Sequence, residues 1–319
     1  MDRADLCGSP GRTDNPGMDP EPSLAPRLPR VPSALSIAGS DPSGGAGIQG
    51  DLKVFSAFGV YGGAAITALT TQNTRGVTGV HPVPPGFVQA QLDALAADLR
   101  FHAIKVGMVA NAEVAAVVAD WLSELTLEDP PPAIVVDPVM VSKGGDALVE
   151  AEAVAVIRDH LLPLASVITP NRHEAARLLG ESDTPESIEE MEDAARLLAS
   201  LTSAAILLKG GGLGGDGVGG SGEETISETI VDVLVDHGAV RRLASPRIDT
   251  PHLHGSGCAL SSAIAAGLAR GVPFDRAIDD ARRFVVRSLE SGWNLCVGLG
   301  KGPPDHLHAI RATFERGDR

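Results

Sequence analysis

Residues 34–51 read ALSIAGSDPSGGAGIQGD. The first five are small and apolar, the pattern of a short buried strand. Five glycines follow within twelve residues, and an amphipathic pattern then runs through Phe58. Strand, glycine loop and helix are the opening of a nucleotide-binding α/β fold. The loop is not a phosphate-binding Walker loop, because no Gly-Lys-Ser/Thr follows and Lys53 is misplaced for it. It is not a clean dinucleotide fingerprint either. A tight strand-to-helix turn accounts for the same glycines. Asp51 falls inside the predicted helix, either as a partner of the helix dipole or as a carboxylate turned toward a ligand.

The same alternation continues outward. Strands are predicted at 64–69, 103–106, 133–136, 166–169 and 204–208. Helices are predicted at 86–100, 111–125, 150–162, 171–179 and 184–201. An antiparallel pair follows at 230–235 and 239–244, joined across Asp236, His237 and Gly238. This order implies a mostly parallel sheet covered by helices on both faces, with an antiparallel edge. Ligands of such sheets bind beyond the carboxyl ends of the strands. Several polar residues fall there. Gln72 and Asn73 are amides at a strand end, able to pair with a heterocycle edge or simply to cap a loop. Asp137 follows a buried strand, where it holds Mg²⁺ or caps a turn before Pro138. Asn171 and Glu174, three apart, face the same way at a helix start. They suit a hydrated cation, and they suit a capping box equally well. Lys209 ends a strand just before glycines and can reach a phosphate.

The second decisive stretch is residues 252–271, HLHGSGCALSSAIAAGLARG. Gly255, Ser256 and Gly257 lead into Cys258 and a helix-forming run with no proline before Pro273. A helix start offers unpaired N–H groups and a positive dipole end, and glycine lets an anion approach them. A cysteine in that first turn has a lowered pKa if it is reactive, or is a buried inert thiol if it is not. Phe274 opens a last amphipathic helix to 291. His306 and His308 read as surface histidines.

Composition narrows the class. The 319 residues carry a net charge of −15, which argues against nucleic acid or an anionic membrane as the main partner. No apolar run is long enough to span a membrane, and no secretory signal is visible. Three scattered cysteines form neither a disulfide framework nor a zinc pattern, so a reducing cytoplasm is expected. Residues 1–33, rich in Pro and Gly, read as a disordered leader, 34–308 as one domain, and 309–319 as a tail. Residues 210–222 read as a mobile cover over bound nucleotide.

Taken together the motifs resemble the ribokinase-like superfamily, in its hydroxymethylpyrimidine and phosphomethylpyrimidine kinase branch. The resemblance rests on AGSDPSGGAGIQGDLK, ITALTTQNTRGV, KVGM, DPVM with a downstream KGGDAL, ITPNRHEA, LLKGG and HGSGCALSSAIAAGLARG, in that order. It implies a three-layer α/β/α sandwich. It also implies ATP- and Mg²⁺-dependent phosphorylation of 4-amino-5-hydroxymethyl-2-methylpyrimidine and then of its monophosphate, by a homodimer. On this resemblance Gly39, Asp51, Gln72 and Met108 line the pyrimidine pocket, with Val139 nearby. Asn171 and Glu174 serve phosphates and Mg²⁺, and Lys209 lies near the nucleotide phosphates; Asp137 is expected as a further metal ligand from its place at the strand end. Gly255, Ser256, Gly257 and Cys258 form the anion hole, with Cys258 as the base. A cysteine in place of the sugar kinases' aspartate sets this branch apart, although some pyridoxal kinases share it. The rival readings are a pyridoxal kinase, a silent pyrimidine-binding regulator, and a thiol hydrolase using His252 or His254.

Overall fold

A computed structural model describes residues 31–140, 149–211 and 228–317. The described strands are β1 (Ser33–Ser40), β2 (Tyr61–Asn73), β3 (Gly76–Pro82), β4 (Ala103–Val106), β5 (Ala133–Val136), β6 (Val167–Ile168), β7 (Ala205–Leu208), β8 (Thr229–Asp236) and β9 (Ala239–Pro246). They form one sheet in the order β3-β2-β1-β4-β5-β6-β7-β8-β9. From β2 through β7 every neighbouring pair is parallel. Central strands such as β1, β4 and β7 are buried along almost their whole length, and they show near-continuous small or apolar residues rather than alternation.

The described helices are α1 (Gly47–Ala57), α2 (Pro85–Ala96), α3 (Ala112–Leu125), α4 (Ala151–Val156), α5 (Arg172–Leu179), α6 (Ile188–Ser200), α7 (Ser256–Ala269), α8 (Phe274–Gly292) and α9 (His308–Gly317). They divide into two layers. On one face Val54 and Phe55 of α1, Ala263 and Ile264 of α7, and Ile278 of α8 form one core. On the other, Val88 and Leu92 of α2, Val118 and Leu122 of α3, Leu178 of α5 and Leu198 of α6 form the second. Helix α7 is rich in alanine because it is enclosed nearly all round. A Cβ added to its Gly267 would lie 3.0 Å from the Cβ of Ala277, so the small residue permits the close approach of α8. The result is a three-layer α/β/α sandwich, as expected.

Some boundaries differ from expectation. The run after residue 69 continues as strand and turns into β3, which pairs antiparallel with β2, so both sheet edges are antiparallel. Helix α6 begins only after Ser187, whose side chain accepts from the N–H of Glu190. The helix starting at α4 passes into a π turn at Ile157–Leu161. The expected tail is helical as α9. Most of the leader, the KGGDAL motif and nearly all of the glycine-rich stretch 210–222 lie outside the described residues.

Candidate active site

The carboxyl ends of the parallel strands meet the N-terminus of α7, and two glycine loops close on each other there. Gly255 caps α7 with φ +86°, and a Cβ on it would lie 1.9 Å from the carbonyl oxygen of Gly45. Only glycine fits that conformation and that approach. The Ser256 N–H already donates to the Leu253 carbonyl at 3.1 Å. Gly257 and Cys258 follow it in the first turn, where N–H groups have no intrahelical acceptor. The anion hole expected from Gly255, Ser256, Gly257 and Cys258 therefore narrows to the N–H groups of the last two.

A cation faces this helix start. Nζ of Lys209, at the end of β7, is 3.2 Å from where a Cβ of Gly257 would stand. The same ammonium is 2.9 Å from Asp137 Oδ1 and 3.9 Å from Glu174 Oε2. Burial works against the charge on Lys209, but Asp137 and Glu174 more than offset it and hold its pKa above the usual lysine range. Asp137 also accepts from Thr169 Oγ1 (3.2 Å) and Ser261 Oγ (3.3 Å). Its burial opposes ionisation, and Lys209 and Lys105 overcome that, holding the carboxyl below its usual range. Asp137 is thus buried and anchors Lys209 through Oδ1, while its Oδ2 takes, among the described residues, only the 3.3 Å contact from Ser261. Asn171 and Glu174 form the capping box of α5: Asn171 Oδ1 accepts from the Glu174 N–H, and Glu174 Oε2 accepts from the Asn171 N–H at 2.7 Å. Desolvation, with the nearby Asp137 charge added and Lys209 opposing, pushes the Glu174 carboxyl up to about 7. A buried carboxylate short of positive charge is the donor that fits Mg²⁺, an ion usually held by one or two carboxylates plus phosphates and water. Among the described residues no group of three or more metal-ligating side chains occurs, so those residues alone make no closed metal cage.

Cys258 departs from expectation. Burial pushes the thiol up to about 11, with Lys105 opposing and Asp137 and Asp51 adding to the rise. The helix N-terminus predicts a lowered value, but desolvation, with the Asp137 and Asp51 charges adding, outweighs it at this part-exposed residue. Asp51 is likewise corrected. It is fully buried, and its carboxylate accepts from Ser36 Oγ (2.6 Å), Ser262 Oγ (2.6 Å) and Lys105 Nζ (2.9 Å), leaving no face for a pyrimidine.

Of the expected pocket residues, Gly39 and Met108 meet. A Cβ on Gly39 would lie 2.4 Å from the Met108 Cε, so the methionine methyl occupies the place a side chain would take. Thr67 Oγ1 fixes the Met108 carbonyl at 2.6 Å. Met108 and Val139 belong to the same apolar core, and Gln72 stands half-buried near the end of β2.

The family model described as phosphomethylpyrimidine kinase matches residues 41–305. The chain belongs to that family. The hydroxymethylpyrimidine/phosphomethylpyrimidine kinase of Synechococcus elongatus is 44% identical over 280 residues, 88% of this chain and 99% of that one. Among solved structures, the phosphomethylpyrimidine kinase of Clostridium difficile is similar at TM-score 0.65 and 35% identity, covering 80% of this chain and 97% of its own. An ADP complex of Bacillus subtilis pyridoxal kinase is similar at TM-score 0.75 and 33% identity, covering 88% and 99%.

In this kinase Lys105 and Asp41 escaped the sequence reading, and His254 entered it only as a candidate partner of the thiol. Lys105, in a strand otherwise wholly apolar, is the signal that was legible; a lysine there needs a buried partner. Asp41 and His254 pair at 2.7 Å across 213 residues of sequence, and nothing local announces it. That contact removes His254 as a partner for the thiol, and among the described residues no histidine hydrogen-bonds to Cys258. His306, expected at the surface, is only 4% exposed, and its Nε2 has no hydrogen-bond partner among the described residues. Burial and the nearby Lys53 hold its pKa down to about 4, so the ring is neutral. No described helix is long and apolar enough to cross a membrane.

Proposed function

We propose that the chain transfers the terminal phosphoryl group of ATP to the hydroxymethyl group of 4-amino-5-hydroxymethyl-2-methylpyrimidine, and then phosphorylates the monophosphate. The observation that carries this reading is the Lys209 ammonium beside Gly257 at the start of α7. There a fixed cation and oriented N–H groups converge on one point. Phosphoryl transfer asks a protein mainly for in-line positioning and charge stabilisation, which is what that junction supplies. The 44% identity to a pyrimidine kinase along nearly the whole length of both chains supports the pyrimidine as acceptor.

In this mechanism Gln72 pairs with the polar edge of the pyrimidine, while Gly39, Met108 and Val139 bound its ring. Asp51 holds Lys105 beneath the site rather than touching substrate. Cys258 lines the place of the hydroxymethyl group. With its thiol at about 11, only about one molecule in 10⁴ carries a thiolate at pH 7 before substrate binds. Its part is therefore to orient the hydroxyl, and the proton leaves late, as a loose transition state allows. The Gly257 and Cys258 N–H groups and Lys209 hold the charge of the transferring group. Glu174, with Asn171 beside it, would hold Mg²⁺, which when bound neutralises phosphate charge.

Pyridoxal is the second reading, favoured by the closer backbone match to the Bacillus subtilis pyridoxal kinase. Mass spectrometry of products from MgATP with each acceptor in turn separates the two. Mono- and diphosphate from the pyrimidine support the proposal, and monophosphate alone reduces it to one step. Phosphate on pyridoxal alone overturns it, and no product with either acceptor favours a binding protein.

A further inference from the structure

Gln72 does not stand alone at the pocket. One end of its amide lies 3.1 Å from His254 Nε2, and the other lies 3.1 Å from Thr70 Oγ1. Which end is oxygen decides what the amide can read, because the two ends have the same shape and opposite hydrogen-bonding character.

The neighbours decide it. Asp41 Oδ1 accepts from the Ser43 N–H (2.9 Å) and the Ser43 hydroxyl (2.7 Å). Its Oδ2 accepts from the N–H groups of Gly45 (3.1 Å) and Ala46 (2.8 Å). A carboxyl held by four donors is an anion, and an anion only accepts. His254 Nε2 lies 2.7 Å from that Oδ2, so Nε2 carries a proton whether the ring is neutral or charged. An NH₂ group of Gln72 on the same nitrogen would set donor against donor. An oxygen there shares the Nε2 proton with Asp41. Thr70 makes the same demand from the other end. Its hydroxyl donates to the Ser40 carbonyl at 2.9 Å, so toward Gln72 it is an acceptor and requires the NH₂.

We propose that His254, held by Asp41, is a positioning residue that fixes the Gln72 amide with its oxygen toward the imidazole and its NH₂ toward Thr70, and so sets the substrate edge the pocket accepts. The oxygen keeps one lone pair and the NH₂ keeps one hydrogen for a ligand. The complementary edge is an exocyclic amine on the His254 side and an unprotonated ring nitrogen on the Thr70 side, as in a 4-aminopyrimidine. A 4-oxo ring in its lactam form offers acceptor and donor in the reverse order and is rejected. This inference rests on Gln72 touching the substrate, as argued above.

Two measurements test it, and they fail separately. Nitrogen-15 NMR of the histidine-labelled, substrate-free protein, assigned with a His254→Gln variant, is expected to show His254 Nε2 protonated. A bare Nε2 overturns the proposal whatever the substrate. Second, kcat/KM is compared for the 4-amino pyrimidine and its 4-oxo analogue. His254→Met removes the donor, lets the amide turn, and is expected to lower the amino-to-oxo preference at least tenfold. His254→Gln returns a donor to nearly the same point and is expected to restore most of the preference. An unchanged ratio in a His254→Met protein that melts as the wild type does also overturns the proposal. Failure of the wild type to phosphorylate the pyrimidine would instead remove the substrate reading and leave the proton assignment to be judged by NMR.

Discussion

The Lys105 ammonium lies 2.9 Å from Oδ2 of Asp51, and neither side chain reaches solvent. Burial alone would strip the lysine of its proton. The Asp51 charge, with Asp137 contributing, holds its pKa above the usual lysine range instead. Lys105→Met leaves the Asp51 carboxylate with only the hydroxyls of Ser36 and Ser262, so a buried charge loses its counter-charge. Breaking one side of such a pair costs about 3–5 kcal/mol. Urea unfolding should show a loss of that order, with the double variant Asp51→Asn/Lys105→Met losing less than the two single changes summed. A loss under about 1 kcal/mol for Lys105→Met would mean that water reaches the pair once it is cut.

The Cys258 thiol, pushed up to about 11, should alkylate slowly in the substrate-free protein. Iodoacetamide labelling followed by peptide mass spectrometry should show Cys258 modification still accelerating above pH 9, while the exposed Cys296 serves as an internal comparison. A plateau already reached by pH 8 would mean that a thiolate is held in the empty site. If the sulfur only orients the hydroxyl, Cys258→Ala should lower kcat at the weak end of general-base effects, by about 10²-fold or less.

Much of the sheet was legible because its parallel strands are buried on both faces and so read as unbroken apolar runs. β3 was not, since GVTGVHP has few apolar residues and lies half-exposed at an edge. In the site, the capping box of Asn171 and Glu174 was visible from spacing alone, as were the glycines before α7. The roles of Asp51 and Cys258 were misread for one shared reason. Cys258 sits at a helix start and Asp51 about one turn past one, where local rules predict a dipole effect, but each is governed by groups far away in sequence. Lys105 reaches Asp51 across 54 residues, and Asp137, just past the end of β5, acts on Cys258 in α7. Desolvation is a property of the finished core, and no window of sequence contains it.

Gly255→Ala tests the seam between the two glycine loops. A left-handed conformation costs a non-glycine residue about 1–2 kcal/mol. The new methyl would also stand 1.9 Å from the Gly45 carbonyl oxygen, so the loops must part. Parting them moves Gly257 and Cys258 away from Lys209. Activity should therefore fall by more than 10²-fold, since an ångström of misplacement has effects of about that size. The drop in Tm should stay modest, because the change lies at the rim of the core. A variant that keeps wild-type kcat would mean that the junction is not where phosphoryl transfer is stabilised.

Glu174→Gln separates the carboxylate's charge from its capping role. Glutamine at the third helical position keeps the capping box with Asn171. In the folded chain the carboxyl is raised to about 7 from an ordinary value near 4.5, chiefly by desolvation, with Asp137 adding and Lys209 opposing. The folded state therefore holds a proton that the unfolded chain has released between those two pH values. Stability conferred by that proton is present below pH 4.5, declines as pH rises through the window, and is gone above about 7. The variant carries no such charge. Its thermal stability in the absence of metal should match the wild type near pH 4.5 and exceed it at pH 8, by roughly a few kcal/mol at most. Added Mg²⁺ with nucleotide should close the gap from the wild-type side, because a bound cation relieves the buried carboxylate, while the variant should gain less from the metal and lose activity. Equal melting curves for the two proteins at pH 8 without metal would mean that Glu174 is ionised there at no cost, and would remove the reason to assign it the cation.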